Sequence, residues 1–318
     1  MEGARSMIVF LVRRIIFACF AMIGATFITF GLSRAAGDPR YLYAQEGGYG
    51  LTQERWDELG RELGLDKPLV WQYTVWLANI VKGNWQDSLL DRKDVFGKIM
   101  DRLPPTLKFA LTSYIFAGVI GIPLGVLSAV SRGSLWDYVG RGFALFGQAL
   151  PVFWVGIMLI LIFSVKLRWF PTGTLGEGFF EWKYYVLPTI TLGWIAAATY
   201  LRLVRSSMLE ILDSEFIKLA RAKGVSYNTL IWKHGFRNAL IAPLTFSSLL
   251  LTGFITGAVV TETIFAIPGL GRLAFQAINN NDFPIMVGVV LVWTALYVTM
   301  NFFTDMIYAL VDPRIRYT

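Results

Sequence analysis

The sequence is poor in the two residues that build most disulfide and zinc frameworks. Of 318 residues, one is cysteine, Cys19, and one is histidine, His234. A disulfide needs two cysteines, and a zinc ion takes three or four protein ligands that are usually His or Cys. The chain therefore offers neither framework, and we predict no metal and no cofactor.

Charged residues are also scarce, at 16% of the chain, whereas soluble domains contain about a quarter. Hydrophobic residues make up 55%, and the mean hydropathy is +0.53. This composition is typical of a membrane protein. The net charge of +7 does not indicate nucleic-acid binding, because no soluble basic domain carries it. Lys and Arg retained on the cytoplasmic side of a membrane account for such a charge.

Six apolar stretches are long enough to cross a bilayer, which takes about 20 residues. The predicted spans are Ile8–Leu32, Leu107–Val130, Tyr138–Val165, Tyr185–Val204, Leu240–Phe265 and Ile285–Val311. The first could instead be a signal peptide, but its apolar run is longer than the usual h-region, so we expect a retained span. The predicted fold is an all-α polytopic membrane protein with six transmembrane helices.

Positive charge in the short flanks predicts the orientation. With the N-terminus inside, fourteen Lys and Arg lie in cytoplasmic flanks and four in the short outer loops. Both termini are therefore expected in the cytoplasm. The predicted organisation begins with a cytoplasmic end and the first span at 1–32, followed by an extracytoplasmic helical segment at 33–106. A five-helix core follows at 107–311 and includes a cytoplasmic loop at 205–239. The chain then ends in a cytoplasmic tail at 312–318.

The extracytoplasmic segment is expected to form two helices. Thr52 is a candidate N-cap for the first, and Pro68 can open a second that stops near Gly83. The second helix carries three aromatic residues, Trp71, Tyr73 and Trp76. They can rest on the membrane interface, where Trp is enriched, or form a docking surface for an external partner, and the sequence leaves both interpretations open.

Between two apolar spans lies a charged, helix-forming insert with the sequence EFIKLARAKG, residues 215–224. Its predicted faces are an apolar one with Phe216, Leu219 and Ala220 and a charged one with Glu215, Lys218 and Arg221. Gly224 is a candidate helix stop. Because so short a helix needs a surface to pack on, the insert predicts contact with either anionic lipid or a cytoplasmic partner.

FIKLARAKG followed by HGFRNALIAPLT resembles the EAA-type cytoplasmic loop of ABC importer permeases, in the version carried by the dipeptide/oligopeptide/nickel permease family. The likeness extends over nearly the whole chain, through AAGDP, LGLDKPLVWQY, RLPPTLKFAL, GIPLGVLSA, QALPVFWVGIMLIL, RWFPTGT, IFAIPGLGRL, DFPIMVGVVL and ALVDPRIRY. The outer segment and the closing DPRIRY are similar to the B-type subunit. Lys218 stands where the general EAA pattern has Glu, as in the family's own version. Pro243 lies one residue later than the family's usual proline, where the loop enters the fifth span.

The resemblance implies the type I ABC importer permease fold and an ATPase-coupling loop. The implied loop residues are Glu215, Phe216, Lys218, Leu219, Ala220, Arg221, Ala222, Lys223 and Gly224. The implied partners are a sister permease in a heterodimer, two cytoplasmic ATP-binding subunits and an extracytoplasmic solute-binding protein, in the bilayer of a prokaryotic cell membrane. The chain would form half of a pathway for peptides; nickel complexes, glutathione and oligosaccharides are alternative cargoes within the family.

Other functional classes find less support in the sequence. The chain has no GxxxxGK[ST] phosphate loop, so we predict that it is not an enzyme and depends on a partner's ATP site. An ion-coupled secondary transporter predicts intramembrane charge pairs and inverted repeats, neither of which is clear. An intramembrane enzyme needs a nucleophile–base pair or metal ligands within the spans. The candidate carboxylate pair for such an enzyme is Glu262 with Asp305, and these two residues are expected at opposite membrane faces.

The residues that line a pathway are harder to predict. Four polar or aromatic candidates within the spans are Gln148, Trp154, Asn301 and Asp305. Each could equally pack between helices.

Overall fold

The computed structural model describes residues 2–38, 40, 52–62, 64–173 and 182–311, and within them every regular element is a helix. The first helices are α1 Glu2–Ala36, α2 Gln53–Glu62, α3 Leu69–Val81, α4 Val95–Val130, α5 Leu135–Ala149 and α6 Val152–Leu159, which continues as a π-helical turn, Ile160–Lys166. They are followed by α7 Lys183–Leu212, α8 Glu215–Ala222 and α9, which consists of Tyr227–Thr229, the π-helical stretch Leu230–Phe236 and Arg237–Ala239. The last are α10 Ile241–Gly257, α11 Val259–Ile264, α12 Leu270–Asn279 and α13 Phe283–Val311.

Among the described residues, four helices contain a stretch long and apolar enough to cross a membrane: α1, α4, α7 and α13. The prediction of a single helix for the third span, Tyr138–Val165, is wrong, because the chain bends by 106° between α5 and α6. Leu150, which precedes Pro151, is extended, as expected of a residue before proline. The bent pair raises the count to five if it crosses as one span. The count of six spans stays a prediction.

The fifth predicted span corresponds to two helices, since α10 ends at Gly257 and α11 begins after Ala258. Pro243 lies in the first turn of α10, where a backbone N–H has no intrahelical partner in any case. The proline that differs from the family pattern therefore fits the helix start. The second predicted span is longer than expected, because α4 begins at Val95 rather than Leu107.

Contacts between Cα atoms divide the chain into two units, one built mainly from Met1–Pro104 with Gly269–Phe302 and the other mainly from Pro105–Pro268. In the first unit, the beginning of α4 packs against α12 and α13 through a buried cluster that includes Ile99, Leu270 and Val289. The loop before α4 is held to the turn between α12 and α13, because Ser88 Oγ donates a hydrogen bond to Asp282 Oδ2 at 2.5 Å.

The two helices of the predicted extracytoplasmic segment are present, and α3 packs on α1. Tyr73 and Trp76 are buried with Phe30 of α1, and the hydroxyl groups of Tyr73 and Thr26 lie 2.9 Å apart. Two of the three aromatic residues predicted to face a membrane or a partner are thus core residues. Trp71 remains 47% exposed. That this segment is extracytoplasmic stays a prediction.

In the second unit, α7 packs against α5, α6, α10 and α11. The approach of α4 to α7 depends on two glycines. A Cβ atom built on Gly121 would lie 2.6 Å from Tyr200 Cβ, and one on Gly125 would lie 2.7 Å from Val204 Cβ. Ordinary carbon contacts are about 3.5–4.0 Å. The absence of a side chain at these two positions therefore allows the helix backbones to approach closely.

Candidate functional site

The insert EFIKLARAKG forms the helix α8, as the sequence predicted, and ends where expected. Gly224 has φ +76°, a conformation that glycine adopts readily. The backbone N–H of Gly224 donates to Arg221 O at 3.0 Å, and the N–H of Val225 donates to Ala220 O at 3.2 Å. These hydrogen bonds reverse the chain direction at the end of α8 and lead it into α9.

One apolar residue that the sequence analysis assigned to neither face, Ile217, fixes α8 to the protein. Its side chain is fully buried, and α8 packs on the π-helical stretch of α9. Ile217 lies about 100° around the helix from Phe216, at the edge of the predicted apolar face. Its signal in the sequence is an aliphatic residue three before Ala220, with which it shares a helix face.

Of the three residues on the predicted apolar face of α8, two are exposed and Ala220 is half-buried. Phe216 is 45% exposed and Leu219 is 57% exposed. Tyr227 and Trp232, which the sequence analysis did not select, are also exposed apolar residues of α9. Large exposed apolar side chains in a short anchored helix are typical of an interaction site.

The charged residues of α8 are all solvent-accessible. Lys218 Nζ donates to Glu215 Oε1 at 2.7 Å across one helical turn. Such an exposed pair contributes only about 0.3–0.5 kcal/mol to helix stability. Arg221, Ala222 and Lys223 are exposed beyond it, so the C-terminal end of α8 offers two positive charges to a partner.

Helix α9 connects α8 to the ends of the long helices. Ile231 and Ala239 of α9 are buried against Val126 of α4 and against Val204 and Met208 of α7. This apolar cluster connects α9 to α4 and α7, and a close-packed interior of this kind transmits strain.

A buried ion pair lies at the same ends of α4 and α7. Asp137 is 1% exposed; its Oδ1 accepts hydrogen bonds from Arg205 Nε at 2.8 Å and Ser128 Oγ at 2.7 Å. Its Oδ2 accepts from the backbone N–H of Gly133 at 3.0 Å. The carboxylate thus joins α4, the following turn, α5 and α7. No local sequence pattern indicates this pair, because its two residues are separated by 68 positions.

The structure describes the side chains of three of the four pathway candidates. Gln148 is exposed, and its Oε1 accepts a hydrogen bond from Arg202 at 2.9 Å. Trp154 is also exposed and Asn301 is half-buried, while the side chain of Asp305 lies outside the part of the chain that the structure describes. Glu262, by contrast, is fully buried and accepts a hydrogen bond from Thr106 at 2.7 Å. The pathway assignments stay predictions.

Comparison with known proteins finds two family models that together match most of the chain. Residues 121–317 match the model described as "Binding-protein-dependent transport system inner membrane component". Residues 7–110 match "Binding-prot-dependent transport system membrane comp, N-term". The first match includes α8 and α9, and the second includes α2 and α3.

Curated relatives match over nearly their full length. The di/tripeptide transport system permease protein DppB of Pseudomonas aeruginosa is 35% identical over 336 residues, which cover 98% of this chain and 99% of that protein. The oligopeptide transport system permease protein AppB of Bacillus subtilis is 38% identical over 319 residues, which cover 98% of this chain and all of that protein.

Solved structures support the fold. A structure of the MetNI methionine ABC transporter in inward-facing conformations matches with a TM-score of 0.57 at 20% identity, covering 68% of this chain and 97% of the matched chain. An amino acid ABC transporter matches with a TM-score of 0.52 at 14% identity, covering 67% of this chain and 93% of the matched chain. At these identities the likeness concerns the fold alone.

Proposed function

The chain belongs to the family of binding-protein-dependent transport system inner membrane components, and on that premise we propose that it is the permease subunit of an ATP-driven peptide importer. The observation that carries this proposal is the 35–38% identity, over nearly the whole chain, to relatives named as di/tripeptide, dipeptide and oligopeptide permeases. The alternative cargoes, nickel complexes, glutathione and oligosaccharides, have no comparable support.

The proposed partners follow from the family and from the absence of a phosphate loop in the sequence. Two cytoplasmic ATP-binding subunits would supply the energy, a sister permease would complete the pathway, and an extracytoplasmic solute-binding protein would deliver the peptide. Many exposed apolar residues lie along α1, among them Phe17, which is 66% exposed, and Phe20, which is 72% exposed. A lipid bilayer or a second membrane subunit would cover them.

The proposed coupling mechanism starts at α8. Phe216 and Leu219 would enter a cleft of the ATP-binding subunit, while the buried Ile217 holds α8 to α9. Closure of the ATPase dimer would displace α8, and the apolar cluster of α9 would pass that displacement to α4 and α7. Coupling of this kind needs an element with two conformations whose equilibrium the partner shifts. The bend between α5 and α6 and the glycine contacts of α4 are candidate hinges for such a change.

The substitution Leu219→Asp tests this mechanism. It places a charge at an exposed position, so we expect little loss of chain stability but at least a tenfold loss of ATP-binding subunits recovered with the affinity-tagged chain from its native membrane. The matched control is Leu90→Asp, because Leu90 is 58% exposed, against 57% for Leu219, and lies in the first unit. Equal recovery of ATPases with both variants would contradict the assignment of α8 as the coupling helix.

A further inference from the structure

A cavity of about 480 Å³ lies at the C-terminal end of α1. Its walls come from that end of α1, the end of α2, α3, the loop before α4 and the beginning of α13. Small-molecule sites are commonly about 300–1,000 Å³. Part of the wall is rigid, because Phe30 and Trp76, which line the cavity, also belong to the buried aromatic cluster that joins α1 to α3.

The cavity is lined by charges of both signs. Three guanidinium groups, of Arg34, Arg61 and Arg92, contribute to its walls, together with the carboxylates of Glu62 and Asp87. Guanidinium groups bind carboxylate and phosphate through paired hydrogen bonds. A ligand that complements this lining therefore carries an anionic group and a cationic group within one small molecule.

A buried side-chain oxygen of Gln72 indicates that the cationic group of the ligand must provide a hydrogen-bond donor. Gln72 lines the cavity, and its Nε2 donates to Lys67 O at 2.9 Å. Its Oε1 is buried and has no hydrogen-bond partner in the described part of the chain. Leaving such an acceptor unsatisfied costs about 1–3 kcal/mol. A ligand with an N–H or O–H donor would satisfy it, whereas a bare anion would not.

The loop that closes one side of the cavity has an unfavourable backbone. Gln86 has φ +64° and Arg92 has φ +57°, and both residues line the cavity. A left-handed conformation costs roughly 1–2 kcal/mol for a residue with a side chain. Residues held in such conformations cluster at ligand sites, which is a second observation that points to a bound molecule here.

We propose that this cavity binds a small zwitterion. The primary ammonium group of the ligand would lie near Gln72 and the two carboxylates of the cavity wall, and its anionic group would lie near the three arginines. Two sources supply this chemistry. One is a short peptide, whose termini carry an ammonium and a carboxylate group. The other is the phosphoethanolamine head group of a bilayer lipid, because the apolar stretch Ile15–Ala35 of α1 ends at the cavity. The proposal does not depend on the transport function.

The test uses the full chain in lipid nanodiscs and separates the two sources. In discs of phosphatidylglycerol and phosphatidylcholine, calorimetric titration with the dipeptide Ala-Ala measures peptide binding. In discs that also contain phosphatidylethanolamine, native mass spectrometry measures whether that lipid stays bound in preference to phosphatidylcholine. We expect saturable binding in at least one arm. The absence of binding in both arms would overturn the proposal.

Variants assign any binding to the cavity. Gln72→Leu and the more exposed Arg61→Gln are each expected to weaken binding at least tenfold. The matched controls are Gln53→Leu and Lys82→Gln, which change exposed residues of α2 and of the end of α3 outside this cavity, and both should bind like the original chain. Binding that is unchanged in Arg61→Gln would also overturn the proposal, whether or not Gln72→Leu folds.

Discussion

At the scale of single residues, the buried carboxylate of Asp137 connects several elements of the second unit. It accepts hydrogen bonds from Ser128, Gly133 and Arg205, and its side chain is 2% exposed while that of Arg205 is 21% exposed. A buried ion pair adds little net stability compared with apolar packing, but the removal of one partner leaves an uncompensated charge. The pair therefore fixes the relative position of α5 and α7 more than it stabilises the fold.

We predict that Asp137→Asn destabilises the chain by about 2–4 kcal/mol, because Arg205 loses its charged partner in a mostly buried position. The measurement is the thermal unfolding midpoint of the purified protein in mild detergent. Arg141→Gln is the control. Arg141 lies 3.7 Å from the same carboxylate but is 49% exposed, so its loss should cost no more than about 1 kcal/mol. Similar midpoints for the two variants would show that the Asp137–Arg205 pair has no special structural role.

At the scale of helices, the contact between α4 and α7 is a close approach within the second unit that depends on glycine. Helices in a membrane gain little from the hydrophobic effect on association, so close backbone packing carries more of the stability. The same two helices receive the apolar cluster of α9. Their packing thus contributes to the stability of the unit and lies on the proposed path from α8.

The substitution Gly125→Ala is predicted to destabilise the chain by about 1–3 kcal/mol, since its Cβ atom would overlap Val204 and the helices must move apart. Gly118→Ala, on the same helix, is the control. The nearest atom to its added Cβ is Ile122 Cδ1 at 4.0 Å, so that variant should be neutral or slightly stabilised. Thermal unfolding of both variants measures the difference, and an equal midpoint would refute close packing at Gly125.

The sequence predicts helices well where apolar length or a turn residue decides the structure. Runs of apolar residues located α1, α4, α7 and α13, and Gly224 located the end of α8. The bend at Pro151 interrupts a stretch that was predicted as one span, and α5 and α6 both pack against α7, a contact that the sequence does not show.

Only part of the candidate site was predicted, because it too depends on packing between elements that the sequence does not show. Helical periodicity selects residues that share a face, but it does not say which face meets the protein. Phe216 and Leu219 were selected as the apolar face, whereas Ile217 is the buried residue. The pair Asp137–Arg205 and the cavity at the end of α1 join residues that are distant in the chain, so no local pattern indicates them.

At the scale of the whole molecule, the proposed function requires that α8 face the cytoplasm and that the loop before α4 face the outside. The orientation rests on the positive charge of the short flanks. The sequence contains a single native cysteine, Cys19, so a background free of cysteine needs only one substitution, Cys19→Ser.

In that background, we predict opposite labelling of two single-cysteine variants by a membrane-impermeant thiol reagent. Both positions are exposed on the protein. If the proposed orientation is correct, Leu90→Cys should react in intact cells, and Lys223→Cys should react only after the membrane is opened. Gel-shift detection of the labelled chain gives the readout. Labelling of Lys223→Cys in intact cells would reverse the proposed orientation.

The central claim is that this chain moves peptides with energy from partner ATPases. The most direct measurement is the uptake of labelled Ala-Ala, presented with the solute-binding protein, into proteoliposomes that contain the purified complex. We predict uptake that requires ATP on the side of the ATPases and is lost with Leu219→Asp but not with Leu90→Asp. Uptake driven by an ion gradient without ATP would contradict the account and identify the chain as a secondary transporter.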